Sequence, residues 1–152
     1  EHTEIGYNYR LSNVLAALGL AQLERLDGMV GRRRALREQY VEAFAGVPGV
    51  TVFQHPGDEH DNSWLTAVLV DPAEAGWSTE DLRKALNAAD IESRPLWKPM
   101  HRQPVFAGAR SLLSDSADRL FERGLTLPSG SALGPDQVDR ILEAAGEFVE
   151  RA

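Results

Sequence analysis

Apolar residues crowd positions 14–26 so densely that the segment keeps almost no polar face; Val14, Leu15, Leu18, Leu20, Leu23 and Leu26 are interleaved with alanines and one glycine. A helix that is apolar nearly all round cannot face water, so the pattern predicts cover from the rest of this chain or from another one. Ser12 is placed to cap it, and Ala16, Ala17, Gly19 and Ala21 are small enough to let a neighbouring backbone approach closely. Asp27 and Gly28 interrupt the pattern. Met29, Val30, Leu36, Tyr40, Val41 and Phe44 then recur at helical spacing among arginines and glutamates, which predicts a second, amphipathic helix. Gly46, Pro48 and Gly49 end it.

Beyond that point the period shortens. Residues 50–53 form a β-branched and aromatic run that reads as a strand, and HPGDEHDN is a polar loop. Residues 64–70 are too continuously apolar for a strand with one face in water, which predicts a central position. Ser78 caps another helix, with Asp81 at its third position and Leu82, Ala85 and Leu86 as its buried stripe. A strand is expected over 91–94, followed by a segment held irregular by Pro95, Pro99 and Pro104. Asp115 or Ser116 starts a helix through Phe121, residues 125–127 make a short strand, and Gly134 with Pro135 opens a last helix whose Val138, Ile141, Leu142, Ala145 and Phe148 share one face. The economical architecture is α+β, a small, mainly antiparallel sheet covered on one side by helices.

Composition narrows the function classes. The 152 residues suit one domain with a respectable core, at 43% hydrophobic and 26% charged. A net charge of -7 argues against a nucleic-acid partner, which would need a basic face. Without cysteine there is no disulfide framework and no thiolate metal site. The sequence shows no signal peptide and no apolar run able to cross a bilayer, so a cytoplasmic protein is expected. It begins at Glu1, which suggests a clipped or cut product.

Candidate chemistry lies in two places. In GYNYR, Asn8 offers amide donors and Arg10 a planar fork of them, so the pair suits a phosphate walled by Tyr7 and Tyr9; turn and cap duty is the alternative that polar residues before helices more often serve. In SRPLWKPMHRQPVF, Trp97 offers a stacking face and His101 a donor, acceptor or proton carrier. Lys98 invites a Schiff-base role, but its setting reads as that of an exposed cation. His55, Asp58, Glu59, His60 and Asp61 have metal-ligand types without metal-ligand spacing, and read as a solvated turn. Arg32, Arg33, Arg34 and Arg37, flanked by Glu38 and Glu42, read as a solvent face with i,i+4 pairs in preference to an anion site.

GYNYRLSNVLAALGLAQLERLD, RPLWKPMHRQPVF and LTLPSGSALGPDQVDRILEA, in that order, resemble the C-terminal portion of nucleotide-sugar aminotransferases of the DegT/DnrJ/StrS type. The resemblance covers essentially the whole chain. It implies the C-terminal small domain, with linking helices, of a fold-type I transaminase that depends on pyridoxal phosphate and moves an amino group, usually from glutamate, to a nucleotide-linked keto sugar. Residues 1–46 would be interface and linker helices and residues 47–152 the small domain. The resemblance also implies a homodimer in which Asn8 and Arg10 reach the cofactor phosphate of the other subunit, with Tyr9, Trp97 and His101 as substrate contacts. The Schiff-base lysine of such enzymes would lie before Glu1, so no catalytic residue is assigned here and the chain alone is expected to be inactive. A sugar dehydratase of the same superfamily and a non-catalytic sugar-nucleotide-binding or dimerisation domain are the competing readings.

Overall fold

The computed structural model describes residues 3–54, 57 and 60–152. Two helices lead, α1 (Asn13–Leu23) and α2 (Leu26–Ala43). They are followed by β1 (Val50–Val52), β2 (Thr66–Val70), α3 (Pro72–Ala75), α4 (Thr79–Ala88), β3 (Arg94–Pro95), α5 (Ser116–Arg123), β4 (Gly124–Leu127) and α6 (Pro135–Arg151). The four strands form one sheet in the order β1-β2-β4-β3, with every neighbouring pair antiparallel. The expected α+β class holds, and β2 is a central strand.

Register explains where the core sits. Thr66 lies opposite Leu127 and Val68 opposite Leu125, so Val68, Val70, Leu125 and Leu127 turn one face of the sheet toward the helices. Against that face pack Leu36, Tyr40 and Phe44 of the α2 segment, Leu82 and Leu86 of α4, and Ile141 and Ala145 of α6. Trp77 closes the cluster edge-on to Phe148, ring centroids 5.0 Å apart. The opposite face is not bare. A Cβ on Gly124 would meet the Leu96 side chain at 2.1 Å and the Leu120 carbonyl at 2.5 Å, so glycine at this position lets α5 and Leu96 close down on β4.

The local signals act as chemistry requires. The Ser78 Oγ accepts the Asp81 N–H at 3.4 Å while the Asp81 carboxylate accepts the Ser78 N–H at 3.0 Å, a reciprocal cap at the start of α4, and the Ser78 hydroxyl also donates to that carboxylate at 2.6 Å. Those bonds hold the Asp81 carboxyl below its ordinary range. Gln137 reaches back to the Gly134 N–H at 2.9 Å and opens α6.

Three boundaries differ from the sequence pattern. The break between the first two helices comes at Glu24 and Arg25, and Asp27 and Gly28 fall inside the first turn of α2, where an acidic side chain suits the N-terminal amides. The expected strand over 91–94 reduces to Arg94–Pro95, because Asp90 enters the left-handed region (φ 54) and the Ile91 N–H returns to the Leu86 carbonyl, finishing α4. Trp64 and Leu65 lie outside β2, and Trp64 is exposed, against the central position read for it. Ser63 stands at φ 49 and the Asn62 side chain accepts the Trp64 N–H at 3.0 Å, so a turn interrupts the extended run.

Candidate functional site

Residues 3–12, ahead of α1, carry no regular structure, and their side chains stand in water. Within it Arg10 adopts φ 65, and its N–H donates to Asn8 Oδ1 at 2.9 Å. An asparagine side chain that accepts from the backbone two residues on makes a turn, and it offsets part of the cost of a left-handed non-glycine residue. The bond occupies one lone pair of the Asn8 oxygen and leaves its Nδ2 donors and the Arg10 guanidinium exposed, with Tyr7 and Tyr9 flanking Asn8. Ser12 then accepts the Leu15 N–H at 3.3 Å and starts α1. None of the α1 side chains is buried; Leu15, Leu18, Leu20 and Leu23 are all exposed. The sequence demanded cover for this helix, and within this chain nothing described supplies it.

The second candidate region runs between β3 and α5, where prolines permit only two short 3-10 turns, Met100–Arg102 and Pro104–Phe106. Buried Gln103 pins the turns by donating to the Lys98 carbonyl at 3.1 Å. Lys98 is half-buried, where an exposed cation was expected. His101 Nε2 lies 2.8 Å from Asp118 Oδ2, both side chains being partly buried. Arg102 bridges Asp118 Oδ1 at 3.3 Å and Glu122 at 3.0 Å, and its guanidinium sits 5.4 Å from the Phe121 ring centroid. The imidazole is therefore held from α5, and beside it opens a cavity of about 370 Å³ whose lining includes Met100, Phe106, Arg110 and Leu113.

Trp97 has a partner that the pattern did not reveal. Its ring lies 6.0 Å from that of Trp64, with the planes inclined at 39°. Asp118 was missed because seventeen residues separate it from His101 and only the turn of α5 onto the loop brings them together. Trp64 was missed because it sits at the head of an apolar run that reads as core. The structure thus joins Asn8 to Arg10, His101 to Asp118 and Trp97 to Trp64. Among the described residues no hydrogen bond joins the Asn8–Arg10 turn to the loop that carries Trp97 and His101.

The arginines of α2 act across the fold. Arg32 Nε donates to the Ser131 carbonyl at 2.8 Å, Arg34 grips the Asp61 carbonyl at 2.8 and 3.2 Å, and Arg37 pairs with the Asp61 carboxylate at 2.7 Å. They tether loops, where a solvent face with pairs along one helix was expected. Of the acidic loop, His55, Asp58 and Glu59 lie outside the described residues. Among the described residues no cluster of three or more His, Asp or Glu is placed to hold a metal ion. Among the described residues no helix is long and apolar enough to cross a membrane.

Comparison with known proteins adds a family. The model of the DegT/DnrJ/EryC1/StrS aminotransferase family matches residues 1–145. A putative pyridoxal phosphate-dependent aminotransferase, EpsN of Bacillus subtilis, is 41% identical over 147 residues, which cover 94% of this chain and 37% of that protein. GDP-perosamine synthase of Escherichia coli O157:H7 is 35% identical, over 97% of this chain and 39% of its own length. Among solved structures, S. venezuelae DesV in complex with a ketimine intermediate superposes with a TM-score of 0.78 at 29% identity, over 100% of this chain and 40% of that one. The chain thus spans well under half the length of these relatives.

Proposed function

From a chain that belongs to the DegT/DnrJ/EryC1/StrS aminotransferase family, we propose the C-terminal part of a cytoplasmic, pyridoxal-phosphate-dependent enzyme that transfers an amino group from glutamate to a keto sugar carried by a nucleoside diphosphate. The observation that carries this reading is the Asn8–Arg10 turn. A backbone bond fixes the turn, and the Asn8 amide donors and the Arg10 guanidinium stand exposed on it two residues apart. That is a donor set for a dianion, and a phosphate ester is the anion it suits.

The cofactor fits this chain in part. Asn8 and Arg10 would hold its phosphate, in the active site of a second copy of the enzyme, and Tyr9 would stand beside the substrate. The chain has two lysines. Lys84 lies on the exposed side of α4, 3.9 Å from Glu80, and Lys98 is half-buried in the proline-pinned loop. By the family resemblance, the lysine that would carry the cofactor lies in a large domain outside these residues, with residues 1–46 as the linker and interface helices and residues 47–152 as the small domain. When bound, the cofactor supplies an electron sink for moving the amino group. This chain's own residues bind and orient. The pinned loop holds Trp97 and His101 against the substrate, and Asp118 fixes the imidazole so that its other nitrogen, Nδ1, is the one free to meet a sugar hydroxyl. The bare apolar surface of α1 would be covered by the large domain and the partner subunit, and the enzyme would be a homodimer.

The test uses a polypeptide carrying these residues together with the family's large domain. Replacing Asn8 and Arg10 together by alanine removes two hydrogen-bonding groups to an anion, each worth roughly 1.5–3 kcal/mol, and is expected to weaken cofactor retention on dialysis by about a hundredfold or more. Glutamate-dependent formation of 2-oxoglutarate with a nucleotide-linked keto sugar should fall with it. Retention unchanged in the double variant would remove the basis of the reading. So would amino-sugar product made by this chain alone.

A further inference from the structure

His101 and Arg102 follow one another in a short 3-10 turn, yet both side chains reach the same carboxylate on α5. His101 Nε2 lies 2.8 Å from Asp118 Oδ2, and Arg102 Nη1 stands 3.3 Å from Asp118 Oδ1, so each oxygen has its own partner. The same Nη1 donates to Glu122 Oε1 at 3.0 Å. The Phe121 ring packs under the guanidinium, its centroid 5.4 Å away.

Arg102 has little to offer as a stability device. Its side chain is 38% exposed and that of Glu122 59%, and ion pairs so open to water add little. Its position answers a different need. Asp118 and Glu122 stand four residues apart on α5, where like charges on one helix face repel. The terminal torsion of an aspartate is broad and two-fold, so a carboxylate pushed by its neighbour turns easily and offers the imidazole either oxygen or neither. A guanidinium nitrogen between the two carboxylates cancels the push and occupies Oδ1, which leaves Oδ2 for His101.

We propose that Arg102 is a positioning residue that acts through Asp118 to set the tautomer of His101; the inference rests on the function proposed above. A carboxylate accepts and has no proton to give. The nitrogen held against it, Nε2, therefore carries the ring proton, and Nδ1 keeps its lone pair. His101 then meets the substrate as a hydrogen-bond acceptor. That selects a hydroxyl or an N–H at this point and disfavours a carbonyl or phosphate oxygen, which would leave two acceptors facing one another.

Long-range proton–nitrogen correlation spectra of this chain, taken at about pH 8.5 where an imidazole ordinarily carries one proton, read the tautomer directly. The resonances of His101 are those lost in His101→Gln. In the parent, Nε2 is expected at the shift of a protonated nitrogen and Nδ1 at that of a bare one. Arg102→Gln should bring the two shifts together as the tautomers mix, and Arg102→Lys should restore the parent pattern, because a single nitrogen makes both contacts. Arg102→Met, which keeps an apolar contact with Phe121, carries the same comparison should Arg102→Gln unfold. Glu122→Gln removes the repulsion together with the bond and should leave the tautomer unchanged; a network that merely braces α5 would lose as much there as in Arg102→Gln. In the polypeptide that includes the large domain, Arg102→Gln should raise KM for the keto sugar about three- to tenfold, and should add nothing to His101→Gln. A parent with its proton on Nδ1 or evenly mixed, Arg102→Gln with the parent's shifts, or an undiminished effect of Arg102→Gln on top of His101→Gln would each overturn the assignment. Failure here with cofactor retention still dependent on Asn8 and Arg10 removes the positioning role alone. A tautomer fixed as expected, with retention indifferent to those two residues, removes the proposed cofactor role and leaves the Arg102 network standing.

Discussion

Tyr40 is the point at which the exposed N-terminal third is fastened to the sheet domain, and replacing it by phenylalanine tests that fastening with a single atom. The side chain is completely buried, in α2, among the residues that pack on the helical face of the sheet. Its hydroxyl donates to the Pro128 carbonyl at 2.8 Å, tying α2 to the loop that follows β4. Phenylalanine keeps the ring and its packing, so the change leaves one partly buried carbonyl without its donor. Such a loss costs about 1–2 kcal/mol. For a chain of this length each kcal/mol is about 2–4 °C in midpoint, which gives an expected fall of about 2–8 °C by calorimetry or circular dichroism of the isolated chain. Val41→Ala, one residue on and exposed, serves as the control and should move the midpoint by less than about 2 °C.

The same phenol supplies a second, independent readout. Burial pushes its pKa far above the ordinary tyrosine value of about 10. Between that ordinary value and the raised one the unfolded chain has released the proton while the native chain still holds it. Stability is thus fully present below about pH 10 and falls as pH rises beyond it, by up to about 1.4 kcal/mol per pH unit. In Tyr40→Phe this alkaline loss should shrink. A variant as stable as the parent at pH 7, with the same alkaline slope, would show that the Pro128 bond and the buried phenol do not fasten α2, and the reasoning would fail.

Two further outcomes follow from the packing. Gly124→Ala places a methyl within 2.5 Å of the Leu120 carbonyl and on top of Leu96, so the junction of α5 and β4 must shift; a loss of about 1–3 kcal/mol in urea denaturation is expected, and a neutral result would mean that α5 does not press on the sheet. Helix α1, apolar and uncovered, should make the isolated chain self-associate as its concentration rises, with Leu15→Glu plus Leu18→Glu returning it toward monomer in light scattering; a parent chain that is monomeric throughout would show that this face has no need of a partner.

The elements that sequence made legible are those governed by neighbours. Ser12, Ser78, Gly134 and Pro135 act within a turn of their own helix, and each marks a helix start in the structure. The helix stripes built on Leu36 and Tyr40, Leu82 and Leu86, and Ile141 and Ala145 are buried because periodicity alone puts them on one face. The strand over 91–94 was misplaced because the end of α4 and the edge of the sheet compete for the same residues, and the helix cap took Ile91. The α2 arginines were read as a solvent face because their partners, Asp61 and Ser131, lie far along the chain.

Sequence alone therefore determined the family and the order of the main elements, since these depend on residue types at short spacing. Tertiary structure alone decided which aromatic residues face water and which side chain holds His101. Trp64 reads as core until the turn at Ser63 and the docking of the 96–106 loop put it beside Trp97, and Asp118 finds the imidazole only when α5 folds back. The reason is physical: periodicity and capping act through one helical turn or one strand pair, whereas a cleft is made of surfaces that meet only after the chain has closed over distances that no local pattern encodes.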